Sequence, residues 1–175
     1  SAQCTDERVN KVTPALFKKF WGSKQLAKAK IADVEKLIAS INFFHTKAKN
    51  LIGTAVMIQG KFRGELPRTI EELIELPGVG RKTANVVLGD AFGVPAGVVV
   101  DTHVKRLSNL IGIAEGEDPE KLEQDLMKLL PREQWTKFSH WLILHGRATC
   151  VARRPKCHDC VIRGNCDFGR RFSTE

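Results

Sequence analysis

The chain is predicted to fold entirely from α-helices. Apolar residues recur at helical intervals over most of its 175 residues, and helix-capping residues stand ahead of these segments. The one strand-like run, Val98-Val99-Val100, is too short to count as a strand. A hydrophobic content of 42% suffices for a buried core, in one domain or in two small ones.

Taken in order, Thr5-Asp6-Glu7 reads as a helix start, and Val9, Val12, Leu16 and Phe20 mark one apolar face. Pro14 is expected to kink that helix or to shift its start. Ser23 opens a short helix, and another covers Asp33 to Ile41. The stretch from Ile41 to Lys49 turns into a helix that runs to Gln59, and Gly60 to Pro67 form a loop. Thr69 and Glu72 have the spacing of a capping box, so the next helix starts there. Pro77-Gly78-Val79-Gly80 makes a tight hairpin, because its glycines allow positive φ. The helix after it carries Ala84 to Phe92 and stops at Gly93. Val94 to Val100 is extended. Asp101 caps a helix that continues to Ile111. Asp118 and Pro119 open a further one, with Leu122, Leu126, Leu129 and Leu130 as its buried side. A last long helix spans Arg132 to Thr149 and delivers the chain to Cys150. There are no internal repeats and no low-complexity segments.

A net charge of +8 and a pI near 9.4 point to a polyanionic partner. No segment approaches the ~20 apolar residues that span a bilayer, which argues against a membrane protein, and no signal peptide is expected. Of five cysteines, Cys4 stands alone, while the rest follow the pattern Cys150-x6-Cys157-x2-Cys160-x5-Cys166. An intracellular protein would not hold these as disulfides, so the clustering argues for a metal. Four thiolates suit either zinc or a [4Fe–4S] cluster. Structural zinc sites more often use two short Cys-x2-Cys knuckles, and this sequence has one.

Two further groups carry chemistry. Uncovered N–H groups in a glycine hairpin at a helix start form an anion site suited to a phosphate, although an ordinary helix–turn–helix corner would look the same. Lys82 sits in the first turn of the second helix, where the helix dipole disfavours its charged form. That placement suits a nucleophile, since an amine attacks only when neutral; the alternative is a solvated surface lysine. Capping alone would explain Asp101, but a carboxylate held at a helix N-terminus also stays ionised and can stabilise developing positive charge. Arg153, Arg154 and Lys156 lie on a loop stiffened by Pro155, as a solvated face or as a partner for phosphates.

Three motifs, in this order, resemble the endonuclease III family of DNA glycosylases over essentially the whole chain. They are Leu76-Pro-Gly-Val-Gly-Arg-Lys-Thr-Ala-Asn85, Val100-Asp-Thr-His103 and the cysteine spacing, which is preceded by His140-Trp-Leu-Ile-Leu-His-Gly-Arg147. The resemblance implies a two-lobed helix-hairpin-helix glycosylase fold, with a helical domain over 1–95 and an iron–sulfur domain over 96–175. It also implies that roughly the first 30 to 40 family residues are absent here, through truncation or disorder. It implies a [4Fe–4S] cluster held by Cys150, Cys157, Cys160 and Cys166. Lys82 takes the place of the catalytic nucleophile, and Asp101 that of the aspartate facing it across the interlobe cleft. Gly78, Val79, Gly80 and Arg81 form the hairpin that holds DNA phosphates. Gln3 matches the glutamine that fills the gap left by a rotated nucleotide. Phe43 occupies the wedge loop, where an aliphatic residue is more usual, with Phe44 as its buried neighbour.

The implied activity is excision of oxidised pyrimidines followed by β-elimination at the abasic site. The implied partner is double-stranded DNA containing such lesions, met by a monomer at a prokaryotic nucleoid, or in a eukaryotic nucleus or mitochondrion. Two departures stand out: Phe43 itself, and a Val94–Val100 linker about one residue longer than in the best-known bacterial members. Adenine glycosylases of the MutY type share the hairpin and cysteine spacing, but they usually lack the lysine and carry a further C-terminal domain. A non-enzymatic hairpin module would use the positive charge, yet it gives no reason to combine Lys82 with Asp101.

Overall fold

A computed structural model describes residues 3–171, so Ser1 and Ala2, at the start of the stretch that the resemblance covers, lie outside the described residues. The fold is all-helical, with no strand among the described residues. The chain forms two compact units, Ser1–Gly80 and Arg81–Glu175. The division falls at the end of the hairpin rather than at residue 95, because the helix after the hairpin is bonded into the second unit through Arg81 and Asn85.

The first unit holds α1 (Asp6–Lys19), α2 (Ser23–Leu26), α3 (Ile31–Ile38), α4 (Phe44–Gly60) and α5 (Ile70–Ile74). Thr5 caps α1 as expected, its hydroxyl accepting the Arg8 N–H at 3.4 Å. Pro14 lies inside α1 without ending it. The core is Leu16, Val34, Ile38, Ile41 and Ala48. Thr69 caps α5, accepting the Glu72 N–H at 3.3 Å and donating its hydroxyl to the Glu72 carboxylate at 2.8 Å.

The second unit holds α6 (Arg81–Val86), α7 (Thr102–Ile111), α8 (Pro119–Leu129), α9 (Trp135–Ala148) and α10 (Asp167–Arg170). Between α6 and Gly93 the backbone widens into a π-helical turn, Val87–Ala91, where the sequence predicts plain α-helix. A Cβ on Gly89 in that turn would come within 2.7 Å of Thr136 on α9, so glycine permits the close approach. Val98, Val100, Val104, Leu107, Leu122, Leu126 and Leu142 form the core. Asp118 caps α8 with Pro119 at its first position, as the sequence predicts.

One expectation for α8 is corrected. Leu129 is 61% exposed, whereas Glu123 is 5% exposed, so the buried stripe is Leu122, Glu123 and Leu126. The stripe turns toward Glu123 because Arg81 and Asn85 supply it with donors. No helix among the described residues is long and apolar enough to cross a membrane.

The corrected stripe is testable by urea unfolding. Leu126→Ala is expected to cost about 2–5 kcal/mol, as a buried large-to-small change does. Leu129→Ala should stay within about 0.5 kcal/mol, as exposed positions do.

Candidate functional site

The hairpin is fixed by packing beneath it. Leu76 is buried, and the Val79 N–H donates to its carbonyl at 3.0 Å, closing the turn. Thr54 of α4 donates its hydroxyl to the Pro77 carbonyl at 3.2 Å. Gly78 has φ +77°, and a side chain there would overlap Asn50 of α4, so conformation and space both require glycine. Gly80 differs: nothing lies within 4 Å of where its Cβ would be. The backbone is open on that side, as close approach of a phosphate needs.

Lys82 is the second residue of α6 and is exposed. It makes no hydrogen bond or ion pair among the described residues. Ala84 and Asn85 form the buried face of α6. Asp101 is half-buried and caps α7, its Oδ1 accepting the Val104 N–H at 2.8 Å, as the sequence predicts. The linker before it is buried at Val98, Val99 and Val100 and pinned by the Ser139 hydroxyl, which accepts the Val99 N–H at 2.9 Å. His103 packs so closely on α9 that a Cβ on Gly146 would lie 2.7 Å from its ring nitrogen. Lys82 and Asp101 thus belong to the same unit, with no ion pair joining them.

Sequence reasoning missed the group that fixes α6. Glu123 accepts from the Arg81 guanidinium at 3.0 Å through Nε and 3.3 Å through Nη2, and from the Asn85 amide at 2.9 Å. Arg81, expected on DNA, is therefore engaged with Glu123 in this structure. A glutamate between two core leucines gives no signal of burial in a sequence; only the donors opposite it explain the placement.

Gln3 and Phe43 lie on two segments that one hydrogen bond joins. Phe43 precedes α4 with φ +58° and is 63% exposed, while Phe44 packs against the core. Gln3 is exposed with φ +54°, and its carbonyl accepts from the Asn42 amide at 2.8 Å. Asn42, adjacent to Phe43, thereby ties the two segments together, and the sequence reading did not single it out.

The four C-terminal cysteines line one small apolar pocket with Leu110 and Ile162. Donors point at their sulfurs: the Gly169 N–H meets Cys166 Sγ at 3.3 Å, and Arg106 meets Cys150 Sγ at 3.6 Å. Burial, and then the neighbouring Cys150, Cys160 and Cys166 thiolates, push the Cys157 thiol above its ordinary pKa, with Arg163 opposing them. Ligation requires the thiolate, so loading this site is favoured as pH rises. An all-thiolate donor set in an apolar pocket with N–H groups on the sulfurs fits a [4Fe–4S] cluster. Arg153, Arg154 and Lys156 are exposed on the loop between the first two ligands. Cys4 packs instead against the core of the first unit.

Comparison with known proteins bears on each part. The HhH-GPD superfamily of base excision DNA repair proteins matches residues 1–132, and the iron–sulfur binding domain of endonuclease III matches residues 150–166. Endonuclease III of Synechocystis sp. is 54% identical over 166 residues, covering 95% of this chain and 76% of the relative. A solved non-covalent endonuclease III–DNA complex superposes with a TM-score of 0.91 at 41% identity, covering 100% of this chain and 82% of that one. A trapped endonuclease III–DNA covalent intermediate gives 0.90 at 41% identity, covering 98% and 80%.

Cysteine substitution separates the ligands from the bystander. Cys157→Ser should lower iron content and visible absorbance in the purified protein, whereas Cys4→Ser should leave both at the wild-type level. A chain with this hairpin, this capped aspartate and this four-cysteine loop, matched over nearly its full length, belongs to the endonuclease III family within the HhH-GPD superfamily.

Proposed function

We propose that this chain excises oxidised pyrimidines from duplex DNA and cleaves the resulting abasic strand, acting as a monomer with Lys82 as nucleophile and Asp101 as its acidic partner. The setting proposed is the nucleoid of a prokaryotic cell. Glycosylase and lyase chemistry follow from membership of the family; the lesion class and the residue roles are the finer part of this reading. The observation that carries it is the contrast between the two groups. Lys82 is exposed and unpaired among the described residues, while Asp101 is half-buried and fixed by its cap.

The neutral Lys82 amine attacks C1′ of a nucleotide rotated out of the stack. The C1′–N bond breaks, its electron pair leaves with the base, and the base takes up a proton. Positive charge develops on the sugar as that bond lengthens, and the Asp101 carboxylate stabilises it. One proton then passes from the amine to the ring oxygen O4′ as the C1′–O4′ bond breaks, which leaves a protonated Schiff base, and Asp101 can serve as relay. Removal of a C2′ proton then expels the 3′ phosphate and cuts the strand. Cys150, Cys157, Cys160 and Cys166 would hold the [4Fe–4S] cluster, whose chemistry here is to cross-link a coil with few apolar residues. Exposed Arg153, Arg154 and Lys156 and the open backbone at Gly80 supply phosphate contacts. Phe43 and Gln3, exposed and tied together by Asn42, fill the vacated space in the stack.

Borohydride trapping on a lesion-containing duplex tests the nucleophile. Lys82→Gln should abolish the covalent complex and retain affinity for damaged DNA; trapping by that variant would assign the chemistry to another amine. Asp101→Asn should slow turnover by about 100-fold or more. Its stability should fall by no more than about 1 kcal/mol, because asparagine also caps helices. Phe43→Ala should weaken binding to an abasic-site analogue far more than binding to undamaged duplex, with little change in Tm. A large fall in Tm with unchanged lesion preference would assign Phe43 to packing instead.

A further inference from the structure

We infer that Glu123 is a positioning residue for the reaction, acting on Lys82 and Asp101 together without touching substrate. Its carboxylate is almost wholly buried and accepts from Arg81 and Asn85, which lie on α6 on either side of Lys82 in sequence. Arg81 directly precedes the nucleophile, so the bidentate contact fixes the rotation of α6 about its axis and hence the direction in which Lys82 emerges. The same carboxylate packs on the linker that leads to Asp101. A Cβ on Gly97 would overlap Glu123 Oε1 and lie 2.8 Å from the Asn85 amide. Gly97 does not have positive φ, so its glycine is required by this close approach and not by backbone conformation. One side chain from α8 therefore sets both the helix that carries the amine and the strap that carries the carboxylate. Misplacement by about 1 Å can cost two orders of magnitude in rate, so the expected effect is on the chemical step.

The inference rests on the roles assigned above to Lys82 and Asp101, and the test keeps the two failures apart. Single-turnover Schiff-base formation on an abasic duplex is measured by borohydride trapping, beside the Kd for an uncleavable abasic analogue. The variants are Glu123→Ala, Gly97→Ala and Leu126→Val in the iron-loaded protein. Glu123→Ala and Gly97→Ala should each slow trapping by about tenfold or more, with Kd within about threefold of wild type. Both should still reach the wild-type end-point. Leu126→Val, which shortens a core side chain on the same helix, should lower Tm and leave the trapping rate unchanged. If Leu126→Val slows trapping as much as Glu123→Ala, the effect is general loosening and the inference falls. It falls equally if either clamp variant traps at the wild-type rate, or if Kd weakens in step with rate. Trapping by Lys82→Gln would overturn the functional reading itself. If Glu123→Ala does not fold, Gly97→Ala decides the matter, since it displaces the carboxylate without removing it.

Discussion

A carboxylate taken out of water must be met by donors, and in the second unit that requirement is concentrated at Glu123. Arg81 and Asn85 stand four residues apart on α6, so both reach the carboxylate from one face of the helix. Lys82, one position on from Arg81, is turned about a quarter of the circumference away and emerges into solvent. Burying Glu123 thus orients the helix that follows the hairpin. It also limits the linker at Gly97 to a residue without a side chain. The usual objection to a buried ion pair is that apolar packing would serve stability as well. Here the pair fixes direction, which a leucine in its place would not do.

The first unit is organised by a different constraint. Gln3 and Phe43 are non-glycine residues in the left-handed region, and Gly78 shares that conformation. The two non-glycine residues cost about 1–3 kcal/mol each and persist only where their surroundings over-determine them. Asparagine side chains supply part of that determination: Asn42 bonds the Gln3 carbonyl, and Asn50 fills the space beneath Gly78. A phenylalanine with a strained backbone and a ring mostly in water is favoured neither by burial nor by conformation. The Phe43 ring is left mostly in water, while Phe44 packs against the core.

What the sequence makes legible is local and periodic. Thr5, Thr69, Asp101 and Asp118 all cap the helices assigned to them, because a cap is read from a few neighbouring residues. The hairpin is equally plain in its glycines, and the cysteine pattern in its spacing. What escapes is whatever depends on a distant donor or a tight approach. Leu129 fits the apolar period of α8 as well as Leu126 does, yet it faces solvent, while Glu123 breaks the period and is buried. Ser139 reads as a polar interruption in α9 until the Val99 N–H is seen donating to it. The π-helical turn at Val87–Ala91 has no sequence mark either, and the close approach of Thr136 to Gly89 within it is visible only in the structure.

Asp101 shows why a structural and a chemical reading of one residue need not compete. The cap uses Oδ1 on the Val104 N–H and leaves Oδ2 without a hydrogen bond among the described residues. The same bond that caps α7 also fixes where the carboxylate stands. Buried valines and the Ser139 hydroxyl hold the backbone just before it, so the carboxylate is set in place before any substrate arrives. Lys82 has the opposite character, an exposed amine on a flexible stem carried by a well-anchored helix. The proposed reaction calls for that division. Charge developing on the sugar is stabilised best by a group that need not reorganise. The proposed nucleophile, by contrast, must reach C1′ and then follow it as the ring opens, which a long, exposed side chain allows.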